Sequence, residues 1–207
     1  MGKLATLLTA GVLICVGTLV SVLTVFNVDH QRNSSEALME RLQSLKKQKI
    51  SDSRDSQIAD VAWQLNDLST TEKILYDRWS RLSADWKPSY AAEFSKTALD
   101  LASVYMDHGA FLQALKIYDE LLERDRKTHG DFSSEVARGL NNRALCLYLM
   151  GTTLPVSSDR KKYFDASMRS IETSNSIWHQ ITGAQAEFNV KNNDALAQLV
   201  QRDITEL

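Results

Sequence analysis

Two segments of this chain align with each other at a shift of 42 residues, and this internal repeat constrains the fold more than any other feature. Ala102 corresponds to Ala144, and Gly109 corresponds to Gly151. A repeat of roughly 20–50 residues is typical of stacked supersecondary units, each of which buries its apolar face only against its neighbours. The repeat therefore predicts an all-α solenoid built from antiparallel helix pairs.

The composition agrees with long helices. Among 207 residues, of which 43% are hydrophobic, the chain has only two prolines and eight glycines. Both residue types break helices, so their scarcity disfavours a fold of short strands and turns and leaves a plain helical bundle as the alternative. The net charge of −2 is close to neutral, which gives no support to a nucleic-acid partner.

Residues 4–26 form an apolar run without any charged side chain. As a helix this run would be roughly 34 Å long, enough to cross a bilayer core of about 30 Å. A cleaved signal peptide usually has an apolar core of about 7–15 residues and a small-residue cleavage site, which this run lacks. We therefore predict an N-terminal transmembrane anchor in residues 1–26; the alternative is a helix buried in a soluble core. The short tail before the run favours export of the rest of the chain to the extracytoplasmic side.

The next segment, residues 27–56, is predicted to be a linker with a juxtamembrane helix. Leu38, Leu42 and Leu45 are spaced for one helical face. The basic stretch 46–49 that follows is either a solvated helix end or a contact with anionic lipid. Residues 51–56 are predicted to be a polar break before the repeat domain, residues 57–207.

Three repeats and a terminal helix are predicted within this domain. The repeat at 91–132 is the best formed, with Gly109 placed to adopt positive φ in its turn. The first repeat, from 57, is divergent. The third repeat, from 133, is predicted to have a turn enlarged by an insertion of about ten residues, Thr152–Lys161, which includes Pro155. The stretch 184–200 is predicted to cover the open end of the stack.

Several of these residues match a known repeat in one frame. The run Leu-Asn-Asn-Arg-Ala at 140–144 precedes Gly151, and Gly-Ala-Phe at 109–111 precedes Ala114. These residues resemble the tetratricopeptide repeat of the kinesin light chain type, over roughly residues 57–182. The chain departs from that pattern at Arg143, where the family usually has a leucine. The resemblance implies a right-handed stack of helix pairs whose concave face binds a peptide or protein segment.

The same resemblance implies which residues face the groove. Asparagine can pair with a peptide backbone through both donor and acceptor, and Lys or Arg suits a carboxylate. The alternative is that these side chains only join neighbouring helices or face solvent. The predicted groove residues are Lys96, Leu99, Ser103, Arg138, Asn141, Leu145 and Tyr148.

Catalysis has no recognisable basis in the sequence. The four histidines are scattered, and no metal-ligand, nucleophile or phosphate-loop motif is present. Cys146 lies on an apolar helix and is interpreted as a small core residue. We expect no enzyme activity, no cofactor, no metal and no small-molecule substrate. The expected function is a membrane-anchored protein-interaction module; the alternatives are a permanent structural subunit of a larger membrane complex and an enzyme without a recognisable motif.

Overall fold

The structure is a computed structural model that describes residues 34–49, 51–155 and 157–207. No strand occurs among the described residues, which confirms the all-helical prediction for this part of the chain. The predicted anchor at residues 4–26 lies outside the described residues. The helices are α1 (34–46), α2 (Asp52–Gln64), α3 (Leu68–Ala84), α4 (Ala91–Asp107), α5 (Phe111–His129), α6 (Ser134–Thr153), α7 (Ser157–Trp178) and α8 (Ala184–Thr205).

The described residues divide into two compact units, and the first of them, which ends at Asp67, includes α1 and α2. In α1, Leu42 and Leu45 are buried, in agreement with the predicted apolar face. The α2 helix begins at Asp52 because the Ser51 side chain accepts a hydrogen bond from the Arg54 backbone N–H at 3.2 Å. The stretch 51–56, predicted to be a polar break, is therefore the cap and first turn of a helix.

The second unit, Leu68–Leu207, is a stack of helices in which each packs against the next along the chain. Successive helices are antiparallel, since they are joined by short turns. The boundary between the units falls in the turn of the first predicted repeat, between α2 and α3. The second unit therefore contains two complete helix pairs, α4–α5 and α6–α7, with α3 before them and α8 after them.

The turns show where the repeat holds and where it changes. Gly109 has a φ of 69° in the turn between α4 and α5, as predicted. Between α6 and α7 the prediction of a long loop at Thr152–Lys161 is wrong, because only residues 154–156 separate the two helices. The additional residues lengthen the helices instead, and the Arg160 side chain donates a hydrogen bond to the Leu154 carbonyl across the short turn.

Small residues bring α6 and α7 into close contact. On α6, Ala137, Ala144 and Gly151 recur every seven residues and are buried. Opposite them, Ser174 and Ser167 donate hydrogen bonds of 2.8 Å to the carbonyls of Ala137 and Ala144, respectively. A Cβ atom on Gly151 would lie 2.6 Å from the Phe164 ring. Gly151 is thus needed inside a helix for packing, whereas its repeat partner Gly109 is needed in a turn.

Arg143, at which the chain departs from the repeat that it resembles, joins three helices. Its Nε donates to the Asp119 carboxylate of α5 at 2.7 Å, and its Nη1 donates to the Ser170 hydroxyl of α7 at 3.1 Å. The Arg side chain on α6 is long enough to reach both neighbours, which leucine could do only through apolar contacts. The departure at this position adds polar contacts between helix pairs without disrupting the stack.

Candidate functional site

A cleft of about 300 Å³ lies between α6 and α8, the two helices that run parallel near the end of the stack. Its sides are built by residues spaced three and four apart, so each helix presents one face to the cleft. Leu145 and Leu199 remain 39% and 41% exposed, so both side chains are open to a ligand. The lining residues are Asn141, Asn142 and Leu145 of α6 and Asn192, Ala195, Leu196 and Leu199 of α8.

Contacts that connect α6 and α8 lie on either side of the cleft along the two helices. At the C-terminal end of α6, the Tyr148 hydroxyl donates to the Asp203 carboxylate at 2.9 Å. Burial, followed by this hydrogen bond and the nearby charge, raises the pKa of Tyr148, so the hydroxyl remains the donor at neutral pH. At the other end, Ala186 of α8 joins the apolar cluster that includes Val136 and Leu140 of α6.

A buried polar network fixes the register of α8 on α7. The Asn193 side-chain amide donates to the Ser174 hydroxyl at 3.0 Å and to the Asn175 carbonyl oxygen at 2.7 Å. The Asn175 amide in turn donates to the Asp194 carboxylate at 3.0 Å. Because Asn193 is fully buried, moving α8 along its axis would break these bonds in an apolar environment. These hydrogen bonds to α7 therefore fix the position of the α8 face that lines the cleft.

The structure brings only part of the predicted groove together. Asn141 and Leu145 line the cleft, and Tyr148 lies beyond it along α6. Arg138 is exposed on the same helix, with its Nη2 at 3.6 Å from Glu135. The remaining predicted residues are placed by α4, away from the lining of this cleft.

On α4, the predicted residues are occupied by contacts within the helix. The Lys96 ammonium pairs with Asp100 at 2.8 Å. The exposed Ser103 hydroxyl donates to the Leu99 carbonyl at 3.0 Å, and Leu99 itself is half-buried. The role of Lys96, Leu99 and Ser103 in binding stays a prediction.

Sequence reasoning missed the half of the cleft that α8 contributes. The stretch 184–200 is predicted to cover the stack, and its buried stripe of Ala186, Asn193 and Val200 at intervals of seven agrees with that prediction. Asn192, Ala195 and Leu199 are separated by three and four residues and lie on another face of the same helix. Two stripes on one helix indicate contacts on two sides.

A larger cavity of about 470 Å³ lies at the turn between α7 and α8. It lies over the partly buried Ile181 and Val190, and its charged lining residues Glu187, Lys191 and Asp194 are exposed. None of the predicted groove residues lines it. We therefore take the α6–α8 cleft as the candidate site.

The described residues include one free cysteine, Cys146. Among the described residues no group of three or more His, Cys, Asp or Glu could hold a metal ion. Cys146 is buried, as predicted, and burial raises the pKa of its thiol to about 12. The thiol is therefore protonated at neutral pH and its nucleophilic form is scarce. None of the helices in the described ranges is both long and apolar enough to cross a bilayer.

Comparison with known proteins leaves the family open. The chain matches no known family of protein sequences. No curated protein matches its sequence either. Among solved structures, the chain is similar to the crystal structure of BtubC (BKLC) from P. vanneervenii, at 12% sequence identity and a TM-score of 0.46. The match covers 84% of this chain and 73% of that chain. A likeness this distant decides nothing about function.

Proposed function

We propose that the chain is a protein-interaction module that binds a segment of a partner protein in the α6–α8 cleft. The observation that carries this proposal is the pairing of two exposed leucines, Leu145 and Leu199, across one concave site. Exposed apolar side chains grouped in a cleft are typical of binding sites, whereas scattered ones need no explanation. The contacts between α6 and α8 favour recognition because the site is formed before the ligand arrives.

The resemblance to the tetratricopeptide repeat of the kinesin light chain type supports the same proposal. That resemblance places Asn141 and Leu145 on the concave, ligand-binding face, and these two residues line the cleft. In such a stack the first helices of successive pairs lie side by side and form the groove. The α8 helix takes the place of the next first helix, so the cleft is the last section of the groove.

The apolar run at residues 4–26 adds a location to the proposal. Its length and lack of charge are those of a membrane anchor, which would hold the cleft close to other membrane components on the extracytoplasmic side. Tethering raises the effective concentration of a binding site toward partners at the same membrane. No catalytic step is needed for this role.

Photo-crosslinking in the cell tests the proposal directly. A photoreactive phenylalanine analogue is placed at Leu145 or Leu199 in the full chain. The matched control is the same analogue at Leu112 of α5, which is 59% exposed and does not line the cleft. We expect a discrete crosslinked partner from both cleft positions and none from Leu112. Equal products from all three positions, or none from the cleft, would contradict the proposal.

A substitution of the same leucines separates binding from folding. We expect Leu145→Glu to abolish the Leu199 crosslink, because a carboxylate would be buried against the ligand, and Leu112→Glu to preserve it. Purification in mild detergent then distinguishes the transient module from a permanent subunit. Comigration of the partner at fixed stoichiometry would favour the subunit, and a mostly free protein the module.

A further inference from the structure

The side chain of Asp125 on α5 is enclosed by the stack, and only 4% of the residue is exposed. Its carboxylate accepts a hydrogen bond from the Ser95 hydroxyl of α4 at 3.3 Å, which is its one hydrogen bond within the described residues. A hydroxyl usually approaches a carboxylate to about 2.5–2.7 Å, so this bond is long and weak. Asp125 is therefore a buried acid with little to stabilise its charge.

Two other charged side chains are buried among the described residues, and each has a group of opposite charge nearby. Arg78 of α3 pairs with Glu93 of α4 at 2.5 Å, and Asp55 of α2 lies 3.9 Å from Arg54. Asp125 forms no ion pair in the described part of the chain. A carboxylate that is buried without a cation is costly, and such a group takes up a proton instead. The position of Asp125 thus favours its neutral form.

The groups around this carboxyl act on its pKa in both directions. Burial has the largest effect and raises the pKa of Asp125, and the hydrogen bond from Ser95 of α4 lowers it. His129, one turn further along α5, and Arg138 of α6 also lower the pKa, whereas Glu135 of α6 raises it. Because the Arg138 guanidinium has Glu135 beside it at 3.6 Å, its charge is largely offset. The net result is a pKa above the ordinary value for aspartate.

We propose that Asp125 is an acid-sensitive contact, which holds α4 against α5 most firmly when its carboxyl group is protonated. A protonated carboxyl donates its O–H to the Ser95 oxygen and needs no counter-ion. An ionised carboxyl only accepts hydrogen bonds, and it gains by reaching water, which loosens the contact between the helices. The predicted groove residue Lys96 follows Ser95 on α4, so acidity strengthens this side of the predicted groove. The contact is separate from the α6–α8 cleft, and the proposed function can fail or hold without it.

The direction of the pH dependence follows from the raised pKa of Asp125. An aspartate in an unfolded chain titrates at about pH 3.9. Since the folded state keeps its proton to higher pH, the stabilisation is fully present below about pH 4 and is lost as the pH rises through the folded pKa. Surface carboxylates such as Glu123, whose hydrogen bond with Lys127 lowers its pKa, have the opposite effect. The contribution of Asp125 must therefore be measured against a matched variant.

Carboxyl ¹³C signals of the full chain, labelled at aspartate and kept in mild detergent, report the proton directly. We expect the Asp125 signal to titrate with a midpoint above about 3.9. Ser95→Ala should raise that midpoint further, because it removes a hydrogen bond that favours the ionised form. Ser176→Ala, which removes an exposed hydroxyl of α7, should leave it unchanged. An Asp125 midpoint at or below the ordinary value, or one that Ser95→Ala fails to raise, would overturn the inference.

Unfolding in urea measures the effect on stability. Asp125→Asn keeps the size of the side chain and is neutral at every pH. We expect this variant to have a higher urea midpoint than the parent chain at pH 7.5, and the difference to shrink toward pH 4. Asp131→Asn makes the same change at an exposed side chain and should alter the midpoint much less. Parallel pH profiles for the parent and Asp125→Asn, or a lower midpoint for the variant at pH 7.5, would contradict the proposal.

Hydrogen exchange shows where the contact acts. After correction for the intrinsic effect of pH on exchange, acidification from pH 7.5 to 4.5 should increase the protection of α4 and α5 in the parent chain. In Asp125→Asn the protection of these helices should stay constant over the same range. The α8 helix, at the end of the stack, is the internal control. An increase that is equally large in α8, or one that persists in Asp125→Asn, would assign the effect to other groups and overturn the inference.

Discussion

At the scale of single residues, the same amino acid at equivalent repeat positions can meet different demands. Gly109 has positive φ in a turn, and Gly151 lies in α6 against the Phe164 ring. Local sequence could predict the first, because Gly109 lies in a turn between two helical segments. It could not predict the second, because the demand comes from a ring that tertiary packing places there. Repeat alignment finds the position but not the reason for it.

Substitutions of two helical glycines, Gly151 and Gly139, test the packing argument. A Cβ at Gly151 would lie 2.6 Å from an atom of the buried Phe164 ring, whereas a Cβ at Gly139 would lie 2.8 Å from the Leu122 Cδ2 atom. We expect Gly151→Ala to reduce the free energy of unfolding by about 1–3 kcal/mol through overpacking. Gly139→Ala should cost less, because the end of a leucine side chain can rotate and alanine favours the helix by about 1 kcal/mol. Urea unfolding of both variants checks this, and a larger loss for Gly139→Ala would refute the packing argument.

Arg143 gives a second test at this scale. Arg143→Leu introduces the residue usual in the tetratricopeptide repeat of the kinesin light chain type, which the chain resembles, but removes the bonds to Asp119 and Ser170. Since the ion pair is partly exposed, we expect a loss of about 1 kcal/mol in unfolding free energy, most of it from the Ser170 hydrogen bond. Lys161→Met, which removes the solvent-exposed Lys161–Asp165 pair, is the control and should change stability by less than about 0.5 kcal/mol. An Arg143→Leu protein with the same free energy of unfolding as the parent chain would show that the contacts with Asp119 and Ser170 contribute nothing to stability.

At the scale of helices, periodicity predicted the apolar faces but not all of the ends. Leu42 and Leu45 of α1 are buried as their spacing indicates, because burial of an apolar face is a local demand. The loop expected at Thr152–Lys161 rested on Pro155, which does end α6, but α7 begins two residues later. An acidic residue in its first turn, Asp159, favours a helix start there. Pro155 therefore predicted where α6 ends but not how short the following loop is.

The contact between α7 and α8 gives a prediction at this scale. Ser174→Ala removes the hydroxyl that bonds to the Ala137 carbonyl and accepts from Asn193. We expect a loss of about 1–3 kcal/mol in unfolding free energy, because the buried Asn193 amide keeps one partner fewer. Ser176→Ala removes an exposed hydroxyl that donates to the Thr173 carbonyl, and should be nearly neutral. Hydrogen exchange of α8 should be faster in the first variant only; unchanged α8 protection would argue against the network.

At the scale of the whole molecule, the sequence predicted a stack and a binding face but only one side of the cleft. Asn141 and Leu145 were predicted because the repeat extends to α6, and both line the cleft. The α8 side was not predicted because no repeat covers 184–207, and only the folded structure places α6 beside it. The binding role of all seven predicted groove residues is still a prediction, as is the membrane anchor at 4–26.

Stability at alkaline pH is a property of the whole fold that two buried groups control. Burial raises the pKa of Cys146 to about 12 and also raises the pKa of Tyr118. A thiol in the unfolded chain titrates near pH 8.5, so above that pH the unfolded state loses a proton that the folded state retains. Stability from Cys146 is thus fully present below about pH 8.5 and is lost toward pH 12, at up to about 1.4 kcal/mol per pH unit.

Denaturant unfolding between pH 7 and 10.5 checks this expectation. The free energy of unfolding should fall from about pH 9 upward, and Cys146→Ala should lower it at neutral pH but make its decline less steep. The shift of the midpoint with pH is the quantity to compare, since cavity formation affects both ends of the range equally. Parallel pH profiles for the two proteins would rule out a role for the buried thiol.

The short span of the α6–α8 cleft along α8 limits how much of a ligand contacts it. From Asn192 to Leu199 the helix rises by about 10 Å, at 1.5 Å per residue. An extended chain covers that distance in about three residues. A motif of about three residues occurs by chance in many proteins and gives modest affinity, so the cleft alone would not select one partner. The predicted membrane anchor at 4–26 would restrict the choice to proteins at the same membrane, and the partner would be determined by its location and its motif together.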